Sequence, residues 1–200
     1  ARAALRPCLA FSFPSDTYPV GECERDITFR KHYYRLVGAF DSDEERTCAI
    51  ELDRLDEVVT WVRNLVHRDP HSFRLPRLPG PSGSWFYPDF VAKLRDGRTL
   101  VVEYKGSDRL DSPDTKDKRL AGDWWASITG GLFVLVSDRD HDAIRRHLAA
   151  HPAPAEAHPA WPPGYWDEVR REGPQADLGV IPPMGCRLAD VDPADWKDAR

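Results

Sequence analysis

The chain has 200 residues, of which 41% are hydrophobic and 30% charged, which suits one domain with a buried core plus extensions. No apolar run approaches the roughly 20 residues of a membrane helix, and the apolar stretch at residues 9–13 is too short for a signal peptide and is broken by Pro14, so a cytoplasmic chain without membrane contact is expected. The net charge of -5 excludes coating of nucleic acid by bulk charge, yet residues 61–120 hold 12 Lys+Arg against 8 Asp+Glu, a basic middle that suits a local polyanion site.

Residues 1–40 have no helix period and are read as an N-terminal extension, with short strands expected at 27–29 and 33–37. The core is placed at residues 41–150. Its first helix opens near Asp43, capped by Asp41, Ser42 or Asp43, with Glu44 and Glu45 in the first turn, where the helix dipole favours acids. Cys48, Ala49 and Leu52 recur at helical spacing. Asp56 is read as the cap of a second helical segment whose apolar face is Val58, Val59, Trp61, Val62, Leu65 and Val66, and which Pro70 ends. A strand is expected near Phe73.

Two further strands follow, FYPDFVAKL at 86–94 and RTLVVEY at 98–104. Asp96-Gly97 between them suits a type I′ hairpin, which needs positive φ at both centres. A helix is predicted over 115–128 with Leu120, Trp124 and Ile128 on its apolar stripe, stopped by Gly130-Gly131. LFVLV at 132–136 has the continuous apolarity of a buried strand, and 138–150 reads as a last helix. An antiparallel hairpin followed by a strand–helix–strand crossover predicts an α/β fold with a mixed central sheet flanked by helices. Residues 151–200 hold nine of the 18 prolines and are read as a Pro-rich C-terminal extension, with Trp161, Tyr165 and Trp166 as anchors. The chain starts at Ala1 and its single methionine is Met184, as expected of a piece of a longer polypeptide. Cys8, Cys23, Cys48 and Cys186 are scattered and form no CxxC pair, so neither a zinc site nor a disulfide framework is indicated.

The chemistry concentrates on the hairpin. Asp89 lies on its first arm and Glu103 and Lys105 on its second. Positions two apart on a strand share a face, and the hairpin folds Asp89 back toward Glu103. Two close carboxylates raise one another's pKa, and a divalent cation relieves their repulsion. Magnesium accepts such oxygens while keeping waters and a phosphate oxygen. It polarises a phosphodiester and activates a water, and Lys105 is suited to stabilise charge on the phosphate oxygens. An ExK triplet alone is more often a solvated strand face. The hairpin, the Lys-bearing helix and the buried strand together make the stronger pattern.

FYPDFVAKLRDGRTLVVEYKG and DTKDKRLAGDWWA, with CAIELDRLDEVVTWVRNLVHR and SFRLP upstream, resemble the nuclease domain at the C-terminus of type III restriction-enzyme subunits and related DEAD/DEAH-box helicase-nucleases. The similarity covers roughly residues 30–137. It implies a restriction-endonuclease-like PD-(D/E)xK core, a Mg²⁺ (or Mn²⁺) requirement and double-stranded DNA as substrate. It makes Asp89 the motif aspartate, Glu103 the second metal ligand, Lys105 the motif lysine and the Tyr104 backbone carbonyl a further metal oxygen. It also calls for a metal-assisting glutamate in the first helix, for which Glu45 is the candidate and Glu44 the competitor. A Walker A loop is missing from these 200 residues, so the expected ATPase/helicase motor belongs elsewhere in the same polypeptide or complex. The function expected is that of a DNA endonuclease in bacterial defence or DNA processing. The alternative is a nuclease-derived domain that holds DNA or a partner without cutting.

Arg63, Arg74, Arg77, Arg109, Lys116 and Lys118 are candidate phosphate contacts, with the two lysines favoured by their nearness to the motif. Asp108, Asp111 and Asp114 are candidates for a second ion, although loop and cap roles explain them better. His32, His67 and His71 are assigned no function, and the tryptophans are read as core or anchors.

Overall fold

The computed structural model describes residues 18, 21–68, 71–77, 85–137, 140 and 142–153. Helix α1 (Asp43–Arg54) leads into β1 (Val58–Arg63), then short β2 (Leu75–Pro76) and β3 (Trp85–Phe86). The hairpin β4 (Phe90–Leu94) and β5 (Thr99–Lys105) follows, then a 3-10 turn (Ser107–Arg109), α2 (Pro113–Thr129), β6 (Leu132–Ser137) and α3 (Asp142–Ala150). The main sheet has the order β1-β4-β5-β6. β4 is antiparallel to β1 and β5, and β6 is parallel to β5, so the sheet is mixed, as expected. β2 and β3 form a separate two-stranded ribbon.

Alternation along the strands divides the interior. Phe90, Ala92, Val102 and Val134 pack with Cys48 and Leu52 of α1 and Ile144 and Leu148 of α3. Val101 and Phe133 turn the other way, onto Ala121 and Trp125 of α2 and onto Leu75 and Phe86. Among the described residues no helix is long and apolar enough to cross a membrane. Cys23 and Cys48 are free thiols, while Cys8, Cys186, Pro70, Trp161, Tyr165 and Trp166 lie outside the described residues.

Four expectations are corrected. Residues 58–63 form a strand, not a helix. Val-Val-Thr-Trp-Val is β-branched and aromatic, and a strand buried on both faces gives an apolar run that also satisfies helical spacing. The hairpin loop is not type I′. Gly97 has φ 90 and Asp96 is not left-handed; Gly97 N–H donates to Leu94 O at 3.0 Å and Leu94 N–H to Arg98 O at 2.9 Å. That is a three-residue loop, which needs one left-handed residue rather than two. Residues 27–29 and 33–37 are not strands. Residues 23 and 32 make only isolated bridges, to Gly38 and to Trp61, although Phe29 and Phe40 pack against the core.

The fourth correction concerns the face of α2. Ser112 caps the helix by accepting the Thr115 N–H at 3.1 Å, and Pro113 fills its first position. Thr115, Ala121, Trp125 and Thr129 are buried, whereas Leu120 is 50% exposed. The Ile128 side chain lies outside the description. Polar residues that face inward hid this frame from a hydrophobic count. Gly122 sits so close to β6 that an added Cβ would run into the Phe133 ring.

Candidate active site

Phe90 stands opposite Val102, and continuing that register places Asp89 opposite Glu103. The Asp89 carboxylate accepts the Tyr104 N–H at 2.7 Å, and its backbone carbonyl accepts the Asn64 N–H at 2.8 Å. In an extended strand the N–H and C=O of one residue point to the same side, so the Tyr104 carbonyl also faces the Asp89 side. Asn64 fixes this corner. Its Nδ2 donates to Phe73 O at 2.7 Å and Pro88 O at 2.9 Å, and its Oδ1 accepts the Phe73 N–H at 2.7 Å. The sequence reading missed Asn64, and its only signal was a polar residue at the end of an apolar run.

Glu103 is 0% exposed. Its Oε1 accepts from Lys105 Nζ at 2.7 Å and from Lys118 Nζ at 2.8 Å. Its Oε2 is buried without a hydrogen-bond partner. Burial pushes Asp89 well above the usual carboxylate range; the Glu103 and Glu45 charges add to it, against the Tyr104 N–H and Lys105. Burial pulls Lys105 down, but Glu103 and Asp89 outweigh it and hold its pKa above the ordinary lysine value.

Ser42 caps α1 and accepts the Glu45 N–H at 3.1 Å. Glu45 is buried, accepting Arg63 Nε at 3.1 Å and the Asp41 N–H at 2.9 Å. The α1 frame thus points Glu45, whose charge reaches Asp89, into the protein. Glu44 lines the adjoining cavity of about 560 Å³, which is walled also by Glu45, Asp89, Tyr104, Lys105 and residues 106–109.

The basic candidates divide. Lys118 is turned onto Glu103, to which it donates at 2.8 Å. Arg63 is committed to Glu45 and Asp41, and Arg74 lies 4.4 Å over the Trp85 ring. Arg77 pairs with Asp114 at 2.5 Å. Arg109 is exposed at the cavity rim and Lys116 is exposed on α2. Asp108 faces Arg109 at 3.6 Å. Among the described residues no three His, Cys, Asp or Glu side chains converge as a ready-made ligand set; Asp114 is engaged by Arg77 and Lys118. The main site offers two carboxylates and a carbonyl. His32 is a core residue: its Nδ1 bonds Tyr34 O at 2.8 Å and its Nε2 accepts the Arg63 N–H at 3.1 Å, while burial pushes its pKa down to about 4.

No family model matches the chain, and no curated protein matches it. The motif resemblance therefore rests on the residues and on the geometry around them.

Proposed function

We propose that this chain is a metal-dependent nuclease domain that hydrolyses phosphodiester bonds in double-stranded DNA. The observation that carries the reading is the buried Glu103 Oε2, an anionic oxygen with no hydrogen-bond donor, beside a second buried carboxylate whose pKa is raised. Leaving such an oxygen unpaired is costly, and a cation would relieve the cost. Asp89, Glu103 and the Tyr104 carbonyl are all-oxygen donors, which fit Mg²⁺ or Mn²⁺. When bound, such an ion polarises a phosphodiester and lowers the pKa of a water.

The chain's own residues do the rest. The Tyr104 N–H orients Asp89, and Asn64 holds the backbone that carries it. Lys105 lines the cavity, and its ammonium stabilises charge growing on the phosphate oxygens. Lys116 and Arg109 are placed for phosphates further along a duplex. The restriction-endonuclease-like fold and a motor partner in a larger protein belong to the same reading, through the motif resemblance.

One feature favours the competing reading of a non-cutting binding module: two lysines already balance Glu103. The deciding experiment incubates duplex DNA with the chain in magnesium, manganese or EDTA. Cleavage that needs the metal and is lost in folded Glu103→Ala is expected. A folded Glu103→Ala protein that cuts at the parental rate removes the reading.

A further inference from the structure

Lys105 and Lys118 converge on one carboxylate oxygen, at 2.7 and 2.8 Å. Their other surroundings differ. Lys105 lines the cavity, and Lys118 does not. Lys118 is anchored from behind, with its ammonium 3.7 Å from Asp114 and 5.1 Å from the centre of the Phe86 ring. Asp114 is itself held by Arg77. One lysine therefore faces the space a substrate would enter, and the other is tied into the protein.

We infer that Lys118 is a positioning residue that keeps Glu103 charge-balanced and oriented, so that Lys105 can leave Glu103 for a substrate phosphate. The inference rests on the nuclease reading and deepens it. A buried carboxylate deprived of its cation is strongly destabilised. With Lys105 as the only partner, moving that ammonium to a phosphate would strand Glu103. With Lys118 on the same oxygen, the move leaves Oε1 paired, and Oε2 stays without a donor and available to a cation. Charge balance alone would need only one lysine, and it would not matter which one faced the cavity.

The role separates metal binding from cleavage. Lys118→Met removes a positive charge from beside the cation site, so Mn²⁺ should bind the full chain no more weakly than it binds the parent, and up to about threefold more tightly. Lys105 is then retained by Glu103, and single-turnover cleavage of a short duplex at saturating Mn²⁺ and enzyme excess should fall about 10- to 100-fold. Lys118→Arg, which keeps the charge and the donors, should recover most of that rate. Lys118→Gln keeps a donor without the charge, and it provides the same comparison should the methionine variant not fold.

Mn²⁺ affinity is read by calorimetry, independently of cleavage, with folding checked by circular dichroism. Folded Lys118→Met or Lys118→Gln that cuts at the parental rate overturns the inference and leaves the nuclease reading standing. Metal affinity and cleavage that fall together also overturn it, because Lys118 would then merely hold the site together. A parent chain that neither binds Mn²⁺ nor cuts overturns both readings.

Discussion

The β4–β5 hairpin buries a charge near each end, and the two are handled in opposite ways. At the turn, Lys93 is 3% exposed and its ammonium donates to the Gly97 carbonyl. Asp96 and Arg98 pair beside it at 2.6 Å. At the open end Glu103 is as deeply buried, but one oxygen has two ammonium partners and the other has none. The chain folds back on itself at the turn, so backbone is at hand to pair with the lysine. At the open end β5 continues into Gly106 and the 3-10 turn, and Asp89, Tyr104 and Lys105, the neighbours of Glu103, line a cavity. A buried charge closed by its own loop serves the fold. A buried charge left incomplete beside a cavity is available to a ligand.

The comparison is broken most severely at the open end. Glu103→Ala and Asp89→Ala should each lower metal-dependent cleavage by about a hundredfold to a thousandfold or more, and Lys105→Ala comparably but with metal binding retained. The check is duplex cleavage alongside Mn²⁺ calorimetry on folded protein. Retained cleavage by either carboxylate variant would make the two ends equivalent.

Lys93→Met tests the closed end and should leave cleavage at the parental rate. Burial pushes Lys93 down to about 8 from an ordinary 10.5, with Asp96 opposing. A depressed lysine pKa means the unfolded chain binds the extra proton between those values, so parental stability rises with pH across them. At pH 7 the methionine variant should be more stable by about 1–2 kcal/mol, the desolvation relief exceeding the lost hydrogen bond. The gap should narrow as pH rises toward 10.5, above which Lys93 becomes neutral in both states; urea unfolding at pH 7 and at pH 10.5 measures it.

Asp89→Asn should stabilise the metal-free protein at pH 7 by about 1 kcal/mol. A raised carboxylate pKa means that the folded state holds its proton to higher pH, so the parent gains stability as pH falls, and the advantage should vanish below about 3.8. Magnesium should raise the melting temperature of the parent and not of the variant. The smallest effect expected is at Lys116. Lys116→Ala should weaken duplex binding about two- to threefold and make the log–log salt slope shallower by about one. Fluorescence anisotropy over a salt series reads both.

Asp89, Glu103 and Lys105 were legible because a hairpin and a period of two fix which residues meet, whatever the turn type. Residues 58–63 were misread because a doubly buried strand has no polar face to break the helical spacing. The Lys118 contact could not be found from apolar spacing, since it depends on a helix face that carries Thr115 and Lys118 inward among Ala121 and Trp125. Asn64 was invisible for a similar reason: its three partners are backbone groups far along the chain.

The docking of α2 at Gly122 has a consequence for comparing chains. Gly122 lies one turn beyond Lys118, and its missing Cβ lets the helix rest against Phe133. The distance from the Lys118 ammonium to Glu103 is thus governed partly by a position that bears no charge and touches no substrate. Shared acidic and basic residues are therefore an incomplete test of kinship in site architecture. A chain that keeps every one of them but carries alanine at position 122 has the site's letters without its spacing.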